Sequence, residues 1–178
     1  MIKHVKSCLT AAVSALLLIG LDQWTKFLAV ANLKNQKPVE LISGALELNY
    51  YENHGAAFGL LQNQRVLFIV LTIVLVIILG YLYWKIPQTK RFLPLRIIAV
   101  FVMAGAAGNF IDRFLNGYVV DFVYFKLINF PIFNVADCYI TVSAAALLVL
   151  AFFYYKEDDD WTWMRFSRKK RHHNGEES

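Results

Sequence analysis

Asp121, in Val119-Val120-Asp121-Phe122, and Asp137, in Phe133-Asn134-Val135-Ala136-Asp137, sit in apolar runs at the mouths of what read as membrane-spanning helices. A carboxylate at or near membrane depth is disfavoured by a few kcal/mol or more unless it is paired, hydrated or used. Two of them framing one extramembrane turn suggest paired acid/base chemistry, because neighbouring carboxyls cannot both ionise cheaply and share a proton near neutral pH. The ionised partner can take a proton from water while the protonated one polarises a carbonyl. Together they would hydrolyse an amide with neither metal nor covalent intermediate. This requires the strand from Gly117 to turn back through Phe130-Pro131 into the last helix. From spacing alone, two unrelated interfacial aspartates explain the pattern equally well.

Other polar residues lie close to apolar segments. Asp22 and Lys26, four apart, share one face of the first helix near its outer end; a salt bridge is the structural explanation and contact with substrate the functional one. Thr25 can hydrogen-bond back within the same helix. In Asn53-His54-Gly55-Ala56-Ala57-Phe58-Gly59 the small residues allow close approach, and the Asn53 amide can both donate and accept toward a peptide. A tight turn re-entering the membrane accounts for the same stretch, and His54 carries no role. Gly108-Asn109-Phe110-Ile111-Asp112-Arg113 closes the third span. Asp112 and Arg113 are adjacent, point apart on a regular helix, and need separate partners. Arg113 facing Asp121 and Asp137 would ease negative charge there; interfacial anchoring by Arg113 and C-capping by Asn109 compete with that role. Asn134, three residues before Asp137, falls on the same side if the stretch is helical.

The elements that must position these groups follow from composition. The chain is 58% hydrophobic and 17% charged, with 14 Phe, 9 Tyr and 4 Trp, which marks an integral membrane protein. Four segments approach the roughly 20 apolar residues that a span needs: residues 8–31, 66–84, 95–111 and 138–155. Four spans put both termini on one side. Lys3, Lys6, Lys85, Lys90, Arg91, Arg96, Lys156 and Arg168-Lys169-Lys170-Arg171 share that side, which the positive-inside rule makes cytoplasmic. The basic pI of about 9.2 therefore reflects topology rather than a nucleic-acid partner. A cleaved leader is disfavoured, because the first apolar core runs into Asp22-Gln23-Trp24-Thr25-Lys26 without a small-residue cleavage site.

Cys8 and Cys138 fall on opposite sides of the bilayer in this layout, so they cannot pair. Neither they nor the four histidines have metal-ligand spacing, and no cofactor is expected. Outside the membrane, Leu46-Glu47-Leu48-Asn49-Tyr50-Tyr51 alternates as a strand, and Tyr118-Val119-Val120-Asp121-Phe122-Val123-Tyr124-Phe125 has strand composition. The expected fold is mainly α, with four transmembrane helices and a small extracytoplasmic β-sheet. Residues 1–155 would form the membrane domain and residues 156–178 a charged, solvated cytoplasmic tail with its tryptophans at the interface.

Taken together, Asp22-Gln23-Trp24-Thr25-Lys26, Asn53-His54-Gly55-Ala56-Ala57-Phe58-Gly59, Gly108-Asn109-Phe110-Ile111-Asp112-Arg113, Val119-Val120-Asp121-Phe122 and Phe133-Asn134-Val135-Ala136-Asp137 resemble, in order and spacing, the signature blocks of the bacterial lipoprotein signal peptidases. The resemblance implies a multi-pass aspartic endopeptidase of the bacterial cytoplasmic membrane that works at the extracytoplasmic face. It would remove signal peptides from diacylglyceryl-modified prolipoproteins, cutting just before the lipidated cysteine. Carried over by position, Asp121 and Asp137 match the catalytic dyad. Asn53, Gly55, Asn109, Arg113 and Asn134 match the surroundings of the substrate cleft, while Asp22 and Lys26 match a supporting pair and Asp112 a structural position. The family's sheet, or cradle, agrees with the inferred strands, and its mobile outer segment would fall near residues 56–62. Cys138 and Ser143 depart from the family's usual small or hydroxyl residue and glycine. Membrane lipid and the prolipoprotein are the implied partners of a chain acting as a monomer. The rival is a small transporter using the same aspartates as a proton relay, which would place them nearer the midplane.

Overall fold

The computed structural model describes residues 2–55, 64–156 and 158–164. Among these, four helices are long and apolar enough to cross a membrane: α1 (Ile2–Leu33), α2 (Arg65–Lys85), α3 (Leu93–Leu115) and α4 (Val135–Val149), the last continued by a π-helical turn over Leu150–Tyr154. Each of the first three runs beyond the apolar stretch that reveals it. Hydropathy marks only the hydrocarbon core, whereas the helix carries on through the headgroup region. Asn109 is consequently interior to α3 and does not cap it.

The third helix is the axis of the bundle and the most buried of the four. Its Ala104-Gly105-Ala106-Ala107-Gly108 run explains why, since small side chains let α1 and α4 lie against its backbone. A Cβ on Gly105 would sit 2.6 Å from the Ala136 carbonyl oxygen, and one on Gly108 would sit 2.5 Å from Asp22 Oδ2. The outer α2 lacks such a stripe and shows lipid a nearly continuous surface of exposed Leu, Ile and Val.

Beyond the bundle lies a three-stranded antiparallel sheet of β1 (Val39–Ile42), β2 (Leu46–Asn53) and β3 (Val119–Phe125), in that order. The central and third strands fall where alternation and composition place them; the first goes unseen in the sequence. The β1–β2 turn uses Gly44 at φ 70°, a left-handed conformation that glycine adopts without penalty. Glu40 pairs directly with Glu47 across the hairpin. Lys126 lies 3.1 Å from Glu47 and 3.8 Å from Glu40, offsetting that like-charge juxtaposition. Ala29, Leu33, Val120 and Phe122 form the core that fixes the sheet to the end of α1.

After β3 the chain makes a 3₁₀ turn over Lys126–Ile128, passes through Asn129 at φ 49°, and doubles back. Phe133 then exchanges backbone hydrogen bonds of 2.9 and 3.0 Å with Val123. That hook delivers the start of α4 beside the middle of β3.

At the opposite end, the described part of the tail alternates between exposed residues and residues that touch the bundle. Arg91 holds Asp159 through two hydrogen bonds of 2.8 and 2.7 Å, while buried Phe92 packs against Tyr155, Trp161 and Trp163. The guanidinium keeps the Asp159 carboxyl below the usual carboxylate range. The expected mobile segment at residues 56–62, the basic run at residues 168–171 and the Lys3 side chain lie outside what the structure describes.

Candidate active site

The hook brings Asp121 and Asp137 to one place. Asp121 is in mid-β3 and 1% exposed. Its Oδ1 accepts from Asn134 Nδ2 at 2.6 Å and its Oδ2 from Asn53 Nδ2 at 2.9 Å. Sheet register explains the second contact. Asn53 pairs with Val119, two residues from Asp121 and on the same face, and a bulge in β2 between Leu48 and Tyr51 adjusts the aim.

Asp137 occupies the third position of α4, where it completes a capping box. Its Oδ2 accepts from the Asn134 backbone N–H at 3.1 Å, and Asn134 Oδ1 accepts from the Asp137 backbone N–H at 3.0 Å. The other oxygen accepts from Asn109 Nδ2 at 2.8 Å. Asn134 Nδ2 also donates to Asn109 Oδ1 at 3.1 Å, so one chain of amides joins the two carboxyls. Every carboxylate oxygen of the pair receives a neutral donor, and no cation lies within ion-pair distance among the described residues. Burial, and after it the Asp137 charge, push the Asp121 carboxyl up to about 7.

Both carboxyls line a cavity of about 530 Å³ that changes character along its length. Asn53, Asn109 and Arg113 stand with them at the polar end; Phe125, Ile128, Phe130, Ile140 and Val142 line the rest. Cys138 opens onto it as an exposed free thiol, and Cys8 is likewise unpaired. Among the described residues, no group of three His, Cys, Asp or Glu side chains is arranged to hold a metal ion.

Arg113 lines this cavity without forming an ion pair to either aspartate. It donates to the Gly55 carbonyl at 3.0 Å, and its guanidinium lies over the Phe68 ring, 4.6 Å from the centroid. Gly55 in turn donates its N–H to Asn53 Oδ1 at 2.9 Å, which turns the Asn53 amide nitrogen toward Asp121.

Behind the pair lies a second polar cluster, fully enclosed between α1, α3 and α4. Lys26 reaches Asp22 at 2.9 Å, Asp112 at 3.1 Å and Asn109 Oδ1 at 2.9 Å. Thus the spacing-based salt bridge exists and is a triad, with Asp112 taking the partner that its position demanded. Asp22 Oδ1 also accepts the Ala136 N–H at 2.9 Å, satisfying a donor in the first turn of α4. Asp112 Oδ2 accepts the Val120 N–H at 3.0 Å, tying α3 to β3 one residue before Asp121. Thr25 closes onto the Asp22 carbonyl within its own helix. Gln23, to which spacing gave no role, donates to Asp112 Oδ1 at 2.9 Å and to the Gly108 carbonyl at 3.1 Å. A lone amide beside a buried Asp–Lys pair was the only available signal.

Comparison with known proteins shows the family. Residues 14–153 match the family described as Signal peptidase (SPase) II. A lipoprotein signal peptidase of Streptococcus thermophilus is 44% identical over 131 residues, covering 74% of this chain and 84% of its own. One from Brevibacillus brevis is 46% identical over 129 residues, covering 72% and 85%. Two solved structures, each described as a bacterial membrane enzyme determined by the in meso method, share the fold. Their TM-scores are 0.71 and 0.70 at 33% and 32% identity, covering 80% and 82% of this chain and 87% and 94% of theirs. The residues matched run from within α1 to the π-helical turn after α4, so they take in both polar clusters and the sheet. The chain belongs to the signal peptidase II family of multi-pass membrane proteases that process lipoproteins.

Proposed function

We propose that this protein cleaves the signal peptide of a diacylglyceryl-modified prolipoprotein just before the lipidated cysteine, using water activated between Asp121 and Asp137. The observation that carries the proposal is the convergence of two carboxyls, the buried Asp121 from a strand and the half-buried Asp137 from a helix N-terminus, on one cavity with only amide donors around them. A carboxyl raised to about 7 is half protonated near neutral pH, which suits the member that polarises the scissile carbonyl. Asp137, held by the capping box, then takes the proton from water. Attack, with the Asp121 proton passing to the carbonyl oxygen, yields a tetrahedral gem-diol. The proton on Asp137 then goes to the departing amine while Asp121 takes one gem-diol proton back as the C–N bond breaks, leaving the carboxylic acid and both carboxyls as they began.

Asn53, Asn109 and Asn134 keep the two carboxyls oriented, and Arg113 holds the Gly55 carbonyl at the rim. A peptide entering the polar end leaves a lipid-modified neighbour beside the apolar wall of Phe125, Ile128 and Phe130. A diacylglyceryl group stays in the bilayer, so its scissile bond is confined to the interface where this cavity lies. The basic residues at the termini end support a cytoplasmic location for that end and an extracytoplasmic one for the sheet with its site. Residues 1–155 act as the peptidase unit and work as a monomer, with the remainder a tail.

The test is incubation of the purified chain with a lipid-modified precursor and with its unlipidated form, locating the cut by mass spectrometry. Cleavage before the modified cysteine in the first alone is expected. Equal cleavage of both forms, or a cut elsewhere, would overturn the assignment.

A further inference from the structure

At the end of the bundle that holds the termini, α1, α2 and α3 enclose a second cavity of about 460 Å³. Ser7 on its wall is separated from Asp22 by about 22 Å along α1, so the cavity is distinct from the candidate active site. It exists because α1 presents Ser7, Ala11 and Ser14 here, side chains too short to fill the space against α3. Its walls are of two kinds. Leu93, Ile97, Val100 and Phe101 line one side, and Leu93 and Ile97 are exposed toward lipid. Ser7, Thr10, Ser14 and Tyr83 line the rest together with Arg96.

The state of Arg96 points to an anion. The neighbouring Arg91 is closed by the Asp159 carboxylate, but no carboxylate pairs with Arg96 among the described residues. Its Nη1 donates to Ser7 Oγ at 3.2 Å and to Gln88 Oε1, and its Nη2 to the Thr89 carbonyl at 3.4 Å. Its Nε is buried with no hydrogen-bond partner. A guanidinium at headgroup depth that has only neutral acceptors and a spare buried N–H is matched by an acceptor-only anion with several oxygens. Tyr83 Oη and Ser7 Oγ, 2.9 Å apart, lie beside it; Tyr83 donates to the Ser7 carbonyl at 3.1 Å, and both hydroxyls can rotate from these bonds toward an anion.

We propose that this cavity binds an anionic phospholipid of the adjoining leaflet. The phosphate pairs with Arg96 and the Ser7 and Tyr83 hydroxyls, and an acyl chain follows Leu93, Ile97 and Phe101 into the bilayer. The apolar wall and its exposure to lipid favour a phospholipid over free phosphate, and the exposed Lys6 and Lys90 at the same end enrich anionic headgroups there.

The test titrates the purified full chain in detergent with phosphatidylglycerol, with phosphatidylcholine of identical acyl chains, and with inorganic phosphate, counting bound lipid by native mass spectrometry. One retained phosphatidylglycerol, preferred about tenfold over phosphatidylcholine, is expected, and Arg96→Gln should remove the preference while Lys90→Gln keeps it. Should Arg96→Gln fail to accumulate, Ser14→Trp, which fills the cavity and keeps Arg96, should abolish retention. Equal retention of both lipids, displacement by inorganic phosphate at matching concentration, or unchanged preference in a folded Arg96→Gln or Ser14→Trp protein would each overturn the proposal. The readout is binding, so the outcome is separate from that of the processing assay.

Discussion

Two clusters of aspartates, buried except for the half-buried Asp137, sit back to back in this molecule and are solved in opposite ways. In the inner one, Lys26 lies within 3.1 Å of both Asp22 and Asp112, the Ala136 N–H of α4 and the Val120 N–H of β3 donate to Asp22 Oδ1 and Asp112 Oδ2, and Gln23 donates to Asp112 Oδ1. In the outer one, Asp121 and Asp137 have amide donors alone and open onto a cavity. The inner arrangement leaves its carboxylates committed to neutralising one cation and joining helices to a strand. The outer arrangement leaves a proton to be shared and room for a substrate. Asn109 joins the two, accepting from Lys26 and donating to Asp137. The difference teaches that burial of an acid is not by itself a sign of chemistry; what matters is whether a cation closes it.

The largest effect that would break this contrast comes from the outer pair. Asp137→Asn should lower the rate of precursor cleavage by about 10³-fold or more. The Asn side chain can still accept from the Asn134 N–H, so thermal melting should stay within a few degrees of wild type. Next is the inner cluster. Lys26→Met leaves two buried carboxylates without their cation and should cost about 3–5 kcal/mol of stability. Melting in detergent measures it, and the surviving folded fraction should still cleave.

Gly108→Ala sharpens the contrast further, since its Cβ would meet Asp22 Oδ2 at 2.5 Å. A loss of about 1–3 kcal/mol is expected, and Gly80→Ala, whose Cβ would meet nothing within 4 Å, serves as the unaffected control for the same melting measurement.

The smallest effects are on titration. The Asp121 carboxyl is raised to about 7 by burial and by the Asp137 charge, and Asn53 acts in the opposite direction. Removing that charge in Asp137→Asn should move the midpoint of the protonated-carboxyl infrared band to lower pH. Removing the Asn53 donor in Asn53→Ala should move it to higher pH. A midpoint that moves the other way in either variant would show that a different group is titrating.

Much of this architecture was legible because the membrane imposes it. Apolar run lengths located the four helices, and alternation and β-branched content located β2 and β3. The turn back through Phe130-Pro131 was a condition that the pairing of Asp121 with Asp137 imposed, and Phe133 meets it through its bonds to Val123. What escaped depends on contacts between distant parts of the chain. β1 is only four residues long and exposed throughout, so it has no buried face to generate alternation. Spacing did not show that Arg113 would take the Gly55 carbonyl and the Phe68 ring, since a guanidinium is satisfied by either a charge or a carbonyl. The tail looked solvated because its acids and tryptophans are adjacent in sequence. Only the distant Arg91 and Phe92 show what they pack against.

The same chemical change on either side of the divide tests the account most directly. Asp121 and Asp112 are 1% and 3% exposed, and each can be replaced by Asn, with cleavage of a lipid-modified precursor measured per folded molecule. Asp121→Asn should melt near the wild-type temperature and leave the precursor uncut, whereas Asp112→Asn should melt lower while its folded molecules still cleave. Substantial cleavage by Asp121→Asn, or an Asp112→Asn protein of unchanged melting that is equally inactive, would contradict the assignment of chemistry to the outer pair.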